Sequence, residues 1–493
     1  GKGARMVCGR GGNAPSKPRP QGRQRCNEEA AVEIFVELLK GLNSIVWGPV
    51  MLVLLVGTGL YLNFGLKFYS FRNWMRAYKC LWDGRDHKSE HGEISPWNAL
   101  MTAIAADIGT GNIVGVATAI AIGGPGALFW MWVTALVGMM TKFSEVLLSV
   151  HFREKTPAGN WVGGAMYFIK NGLGKNWTWL AICFAVFGAC ACIGTGAMVQ
   201  ANAVCGNLVS TFGFNKYLVA VVLVILCVMV LLGGVKRVGA VAGKLVPFMA
   251  GFYIIMCLII IGLHIDRVPS VFIWVVKDAF TPTAAQGGFV GATIMMAIQM
   301  GMARGIFSNE AGLGTAPMAH AASTAESPLV QASIGMLDVF IDTIIVCSMT
   351  GFVILVAVVP ETLPAGVAAG VAAGDPLWSS GLNGGQLSAV AFGSTLAGFG
   401  EYGVSISLAL FAFTTTLGWC VYGERCVIFL FGDRAQIAFR IVYCLAVGVG
   451  AVIALDMVWL IADTCNALMA FPNLFGILFL SPVLFQIVRE EVK

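Results

Sequence analysis

The sequence predicts an all-α polytopic membrane protein. About eleven transmembrane helices are expected, as a 5+5 inverted repeat behind one extra N-terminal helix. Three observations predict this. Of 493 residues, 57% are hydrophobic and only 12% charged, where a soluble domain carries about 25% charged residues. Apolar stretches of about 20 residues, enough to cross a bilayer, recur along the chain. Two of these stretches, five spans apart, carry Gly-rich polar interruptions.

The extra span is expected at 44–65. Ten core spans follow, at 96–122, 124–150, 177–208, 214–233, 244–264, 287–318, 331–358, 396–422, 437–455 and 457–486. Between the extra span and the core, "LKFYSFRNWMRAYKCLW" (66–82) alternates aromatic and basic residues and reads as a helix lying on the membrane surface. The stretch 1–43 is a basic, Gly- and Pro-rich tail, with no apolar core of the kind a secretory signal peptide carries. The remaining organisation is 44–95 (extra helix and surface helix), 96–264 (first repeat), 265–286 (extracellular loop), 287–486 (second repeat) and 487–493 (cytoplasmic end).

Orientation follows from Lys and Arg, which concentrate in cytoplasmic loops. Loops on one side of the core carry eighteen of them; the other side carries three, Lys216, Arg267 and Lys277. This places the C-terminus in the cytoplasm and the N-terminus outside, against the eight basic residues of the tail. The net charge of +5 is thereby a matter of topology, and no nucleic-acid partner is expected. Lys142, near the cytoplasmic end of its span, is expected to snorkel to the interface. Most cysteines, such as Cys183, Cys227, Cys257, Cys347 and Cys444, lie inside apolar segments without CxxC spacing and read as small core residues.

The first core span is broken by "ADIGTGNIVG" (106–115) and the sixth by "GMARGIFSNEAGLGTAP" (301–317). Irregular backbone at membrane depth is tolerated only where it lines a cavity or is buried in protein. A break frees N–H groups at one half-helix, suited to a carboxylate, and C=O groups at the other, suited to a small cation. Two such breaks five spans apart are the pattern of an inverted-repeat secondary transporter. Packing of helices through small residues is the alternative for either break taken alone.

Four stretches carry a more specific likeness: "IGTGNIVGVATAIAIGGPGALFWMW" (108–132), "RGIFSNEAGLGTAPMAHA" (304–321), "FAFTTTLGWCVYGER" (411–425) and "GGAMYFIKNGLG" (163–174). They resemble the signatures of the alanine or glycine:cation symporter family, also called sodium:alanine symporters, over about residues 44–486. The resemblance implies a leucine-transporter-like fold of the amino acid-polyamine-organocation superfamily. It implies cell-membrane import of a small neutral amino acid with sodium ions.

The same resemblance implies a site. Gly109, Thr110, Gly111 and Asn112 would offer donors to the substrate carboxylate. Carbonyls around Phe307 and Ser308, and the amide of Gln200, would accept from its ammonium. Phe307 and Trp419 would limit the side chain to a methyl group. The sodium ligands would be the carbonyls of Ala105, Ile108 and Ala412 with the hydroxyls of Thr415 and Thr416; a second ion would use Asn112 with Asn309. Asp107 departs from the small or hydroxyl residue expected there. A mid-span carboxylate costs roughly 2.5–3.5 kcal/mol, so it is expected to be cation-paired, protonated or facing water. It either adds charge to the ion site or lets H+ replace Na+. Arg304 and Glu310 would pair with each other or gate the cytoplasmic path.

Rival classes fare worse. A channel or passive facilitator predicts rings of charge or carbonyls around an open pore. An enzyme needs a constellation that is missing: His87, His91, His151, His264 and His320 are scattered, there is no HExxH, and neither Ser308 nor Ser323 has a base beside it in sequence. No nucleotide-binding P-loop is present.

Overall fold

The computed structural model describes residues 36–85, 92–281, 294–360, 372–453 and 456–491. Most of the tail and the start of the sixth core span therefore lie outside the described residues. Among the described residues, eight helices are long and apolar enough to cross a membrane, a bent pair makes a ninth, and Lys216–Leu231 is a shorter apolar helix.

The extra helix, α1 (Pro49–Gly65), starts on a proline, whose fixed φ suits a first helical turn. Short helices Tyr69–Arg72 and Trp74–Asp83 follow. They turn Phe71, Met75 and Trp82 outward and bury Ala77 and Leu81, the amphipathic division expected of a surface helix.

α2 begins at Pro96, where the Ser95 hydroxyl accepts from the Asn98 N–H. It runs to Asp107, turns extended at Ile108, and resumes as Gly111–Gly123 at an angle of 50°. α3 (Gly126–His151) is buried along most of its length. α4 spans Lys175–Phe212 and α5 Lys216–Leu231; α6 is Gly234–Leu263. A two-stranded hairpin, Glu154–Lys155 with Trp161–Val162, lies between α3 and α4.

α7 (Ile294–Asn309) stops abruptly, and the chain recovers only a short helical turn at Pro317–His320. Glu310 closes α7 with a left-handed backbone (φ 54°), a conformation uncommon for a non-glycine residue. α8 spans Pro328–Val356, α9 Gly400–Phe431, α10 Gln436–Val452 and α11 Asp456–Glu491. α2, α4 and α8 each contain a π-helical stretch: Gly111–Gly115, Cys192–Val199 and Phe340–Cys347.

Two connections expected as loops hold helices. Val268–Asp278 sits over the start of α3, where an Asp278 carboxylate oxygen accepts from the Gly126 N–H at 2.8 Å. Gly384–Thr395 lies against the break in α2, its Ser388 hydroxyl donating to the Ile113 carbonyl at 3.2 Å.

The outer surface is apolar. α5 exposes Val221, Ile225 and Met229, and α10 exposes Ile441, Val442 and Leu445. The interior is the polar part: Asp107, Lys142, Glu145, Asp338, Asp342 and Arg425 are all buried. This inversion is the mark of a bilayer as solvent. The protein is an all-α, multi-pass membrane protein.

Candidate substrate and ion site

Both breaks open on one small pocket. From α2 it is lined by Asp107, Gly109, Thr110 and Gly111, and from α4 by Thr195 and Gln200. Phe307 and Glu310 approach from the α7 break, Thr415 and Trp419 from α9, and Asn466 from α11. Glycine is needed at 111 for approach between chains: a Cβ there would lie 3.2 Å from the Ser308 backbone and 3.4 Å from the Phe307 ring. At Gly109 it would lie 2.5 Å from the Thr415 hydroxyl. The two breaks and α9 thus meet with no room to spare.

The Gly109 N–H, one of the expected carboxylate donors, is engaged by the Asn112 side-chain oxygen at 2.8 Å. The next two residues, Thr110 and Gly111, open the second half of α2, where the first N–H groups of a helix have no partner within it. Four side-chain oxygens of the described pocket residues are buried without a hydrogen-bond partner: Asp107 Oδ1, Thr110 Oγ1, Gln200 Oε1 and Asn466 Oδ1. Each carries a desolvation cost that a ligand donor would remove.

Asn112, Ser308 and Asn309 face α8. The Asn112 amide donates to the Asp342 carboxylate at 2.6 Å, and the Ser308 hydroxyl donates to the same oxygen at 3.1 Å. The Asn309 amide donates to the Thr343 hydroxyl at 3.0 Å. Asp342 and Thr343 lie in the π-helical stretch of α8, whose wider turn brings two consecutive side chains to the breaks.

The expected cation ligands divide into two pairs. The Thr415 hydroxyl lies 3.0 Å from the Phe411 carbonyl of its own helix and 3.2 Å from the Ile108 carbonyl across on α2, while the Thr416 hydroxyl bonds the Ala412 carbonyl one turn back on its own helix at 3.0 Å. Ala105 is buried on α2 one turn before the break, where α9 packs against it, with Gly418 lying against Ala106. Oxygen donors from α2 and α9 therefore adjoin, a donor set suited to a hard cation.

Two expectations are corrected. Lys142 does not snorkel: its ammonium is fully buried, 3.0 Å from Asp107 Oδ2 and 3.2 Å from Asp338 Oδ2. Its span lies in the protein interior, so the aqueous interface is out of reach and two carboxylates replace it. Arg304 and Glu310 form no ion pair among the described residues. Glu310 accepts from the Thr315 hydroxyl within the α7 break. Arg304 lies over the Phe307 ring at 5.9 Å and lines an outer cavity with Trp47, Gln299 and Asp463. The helix turn between Arg304 and the left-handed Glu310 points the two away from each other.

Phe307 lines both the pocket and that outer cavity. Arg153 donates to the Ala321 and Ser323 carbonyls at 3.0 and 2.7 Å. Glu93 accepts from the Trp161 N–H at 2.7 Å and meets the buried Arg425 at 3.4 Å.

Several site residues escaped the sequence reading. Glu145 accepts from the Gly312 N–H at 3.0 Å and from the Asn473 amide at 2.6 Å, and Asn473 also donates to the Gly312 carbonyl at 2.9 Å. Together they hold the backbone of the α7 break. Glu145, Asp338 and Asp342 carried a usable signal, because ionisable residues inside apolar spans are functional by default.

A family model described as "Sodium:alanine symporter family" matches residues 32–492. The chain belongs to the sodium:alanine symporter family. Sodium:alanine symporters are transporters, not enzymes. Among similar proteins, an uncharacterized transporter of Haemophilus influenzae is 44% identical over 92% of this chain and 95% of its own. The sodium/alanine symporter AgcS of Methanococcus maripaludis is 43% identical over 91% of this chain and 95% of its own. The probable sodium/glutamine symporter GlnT of Bacillus subtilis is 33% identical over 92% and 89%. Among solved structures, a manganese transporter from Eremococcus coleocola aligns with 79% of this chain and 78% of its own, at 14% identity and a TM-score of 0.47. That likeness is too distant to bear on the arrangement of this sodium:alanine symporter's helices.

Proposed function

We propose that the protein imports a small neutral amino acid, alanine or glycine, together with sodium ions by alternating access. In this reading α2–α6 and α7–α11 are the two halves of a leucine-transporter-like inverted repeat, with the C-terminus in the cytoplasm. One observation carries the proposal. The polar groups of two broken helices meet in a single pocket, with unpartnered buried oxygens of Asp107, Thr110 and Gln200 around it.

The substrate is a zwitterion. Its carboxylate is placed at the N–H groups of Thr110 and Gly111, and its ammonium faces Asp107 Oδ1, Gln200 Oε1 and the α7 carbonyls near Phe307. Trp419 and Phe307 close over a methyl group and leave no volume for a branched chain. The sodium ion, a co-substrate, is placed among the oxygens of Ala105, Ile108, Ala412, Thr415 and Thr416. AgcS, by its name, couples the same pair. Sodium is favoured over H+ by the family to which the chain belongs and by the name of AgcS.

The energetics suffice. One positive charge moved through 100 mV yields ~2.3 kcal/mol, and 1.4 kcal/mol is a factor of ten, so one cation supports roughly 40–50-fold accumulation. Uptake of labelled alanine into proteoliposomes tests the proposal. Uptake that saturates, requires an inward sodium gradient and shows counterflow is expected. Uptake equal in choline and sodium would refute it.

A further inference from the structure

Lys142 has a role that neither the pocket nor the family name assigns. It sits on α3, behind the pocket wall, with its side chain fully buried. Its ammonium is shared by Asp107, whose other oxygen, Oδ1, is unpartnered and lies at the pocket wall, and by Asp338 on α8. Asp338 stands one helical turn before Asp342, which binds Asn112 and Ser308 of the two breaks. Lys142 thus places an ammonium between the pocket carboxylate and the helix that ties both breaks. Its other charged neighbours are acidic: Glu145 on its own helix and Glu310 at the α7 break. From α9, the Tyr422 hydroxyl is buried without a partner.

We infer that Lys142 is a positioning residue for coupling: a tethered cation that offsets part of the negative charge of Asp107 and Asp338, so that the neighbouring ion site holds sodium weakly enough to release it. Buried charges are stabilised only by partners, and removing one leaves the others uncompensated. Asp107 is next to Ile108, a proposed sodium ligand. Deleting the Lys142 charge makes the surroundings of that ligand more negative; deleting the Asp338 charge makes them more positive. The two changes must therefore move sodium affinity in opposite directions. A residue that merely packed the core would weaken the site whichever partner was lost.

The inference rests on the pocket being the transport site. The test uses the full-length protein, in detergent and in proteoliposomes. The first readout is the sodium dependence of Tm, at constant ionic strength with choline as replacement, since a ligand that binds only the folded state raises Tm as it loads. The second is alanine uptake against sodium. Lys142→Met, close in volume to the original, should lower the half-saturating sodium concentration roughly tenfold and slow turnover. Asp338→Asn should raise it. Lys142→Met with Asp338→Asn, which removes one charge of each sign, should return it toward wild type. Shifts of the same direction in both single variants, no shift, or losses that accumulate in the double variant would overturn the inference. Where Lys142→Met does not fold, the double variant decides: a monodisperse double variant with near-wild-type sodium dependence supports the role, and a misfolded one refutes it. A wild type without sodium-dependent uptake refutes the pocket reading instead.

Discussion

The Asn112 amide lies 2.6 Å from the Asp342 carboxylate, and that hydrogen bond ties the broken half of α2 to the π-helical stretch of α8. Both residues are fully buried. Asn112→Ala leaves a buried carboxylate short of one donor, a loss of about 1.5–3 kcal/mol for a charged acceptor. The variant should unfold at lower Tm in detergent and transport little. A Tm equal to wild type would mean that Asp342 finds other donors.

Gly111→Val tests the approach of the two breaks. Its Cβ alone would meet the Ser308 backbone at 3.2 Å, and the two methyl groups have nowhere to go. Alanine uptake should disappear. Gly111→Ala, which asks Ser308 and Phe307 to give by a few tenths of an ångström, should retain part of it. Equal uptake by both variants would place the ligand elsewhere.

Thr415→Val and Thr416→Val remove hydroxyls at nearly constant shape. Thr415 reaches the Ile108 carbonyl of α2 as well as Phe411 of its own helix, whereas Thr416 bonds Ala412 of its own helix. Thr415→Val should therefore raise the half-saturating sodium concentration by about fivefold or more, the equivalent of a hydrogen bond worth ~1 kcal/mol. The smaller effect is expected from Thr416→Val, and sodium-dependent uptake of each variant measures the difference.

Trp419 packs its Cβ against Gly196 and presents its ring to the pocket. Trp419→Phe removes ring volume while keeping an aromatic wall. Serine, cysteine and valine should then compete better with labelled alanine than they do in wild type. An unchanged competition series would take Trp419 out of size selection.

Orientation is tested with a membrane-impermeant thiol reagent on whole cells. Phe214→Cys, at an exposed turn between α4 and α5, should gain labelling above wild type. Arg434→Cys, between α9 and α10, should gain it only after permeabilisation. The reverse pattern would invert the topology.

The all-α, multi-pass character was legible because long apolar runs recur, and the two breaks because glycine and polar residues interrupt such runs. The pocket residues Gly109, Thr110, Gly111, Gln200, Phe307, Thr415 and Trp419 were reached from motifs, and the structure brings them to one cavity. What the residues around the cavity do to one another was not legible. Lys142 read as a snorkelling side chain because its distance along α3 says nothing about whether that helix end meets water. Asp338 and Asp342 are four apart on an apolar helix, but only packing shows that this face meets α2. Gly384–Thr395 was hidden by its short, weakly apolar sequence, and it is held in place by contact with the α2 break rather than by its own periodicity.

The burial of Lys142 also bears on how the chain is assembled. A lone charge entering the bilayer on a helix costs roughly 2.5–3.5 kcal/mol. α2 and α3 are joined by a turn at Gly124 and Pro125, so Asp107 and Lys142 leave the ribosome close together and can enter the lipid as a hairpin in which carboxylates offset the charge of Lys142. Asp338 is synthesised about two hundred residues later, after several further helices. During that interval Asp107 and Glu145 are the carboxylates already at hand for Lys142. Synthesis order thus makes the pocket carboxylate a chaperone for the insertion of α3 before it has any substrate to bind.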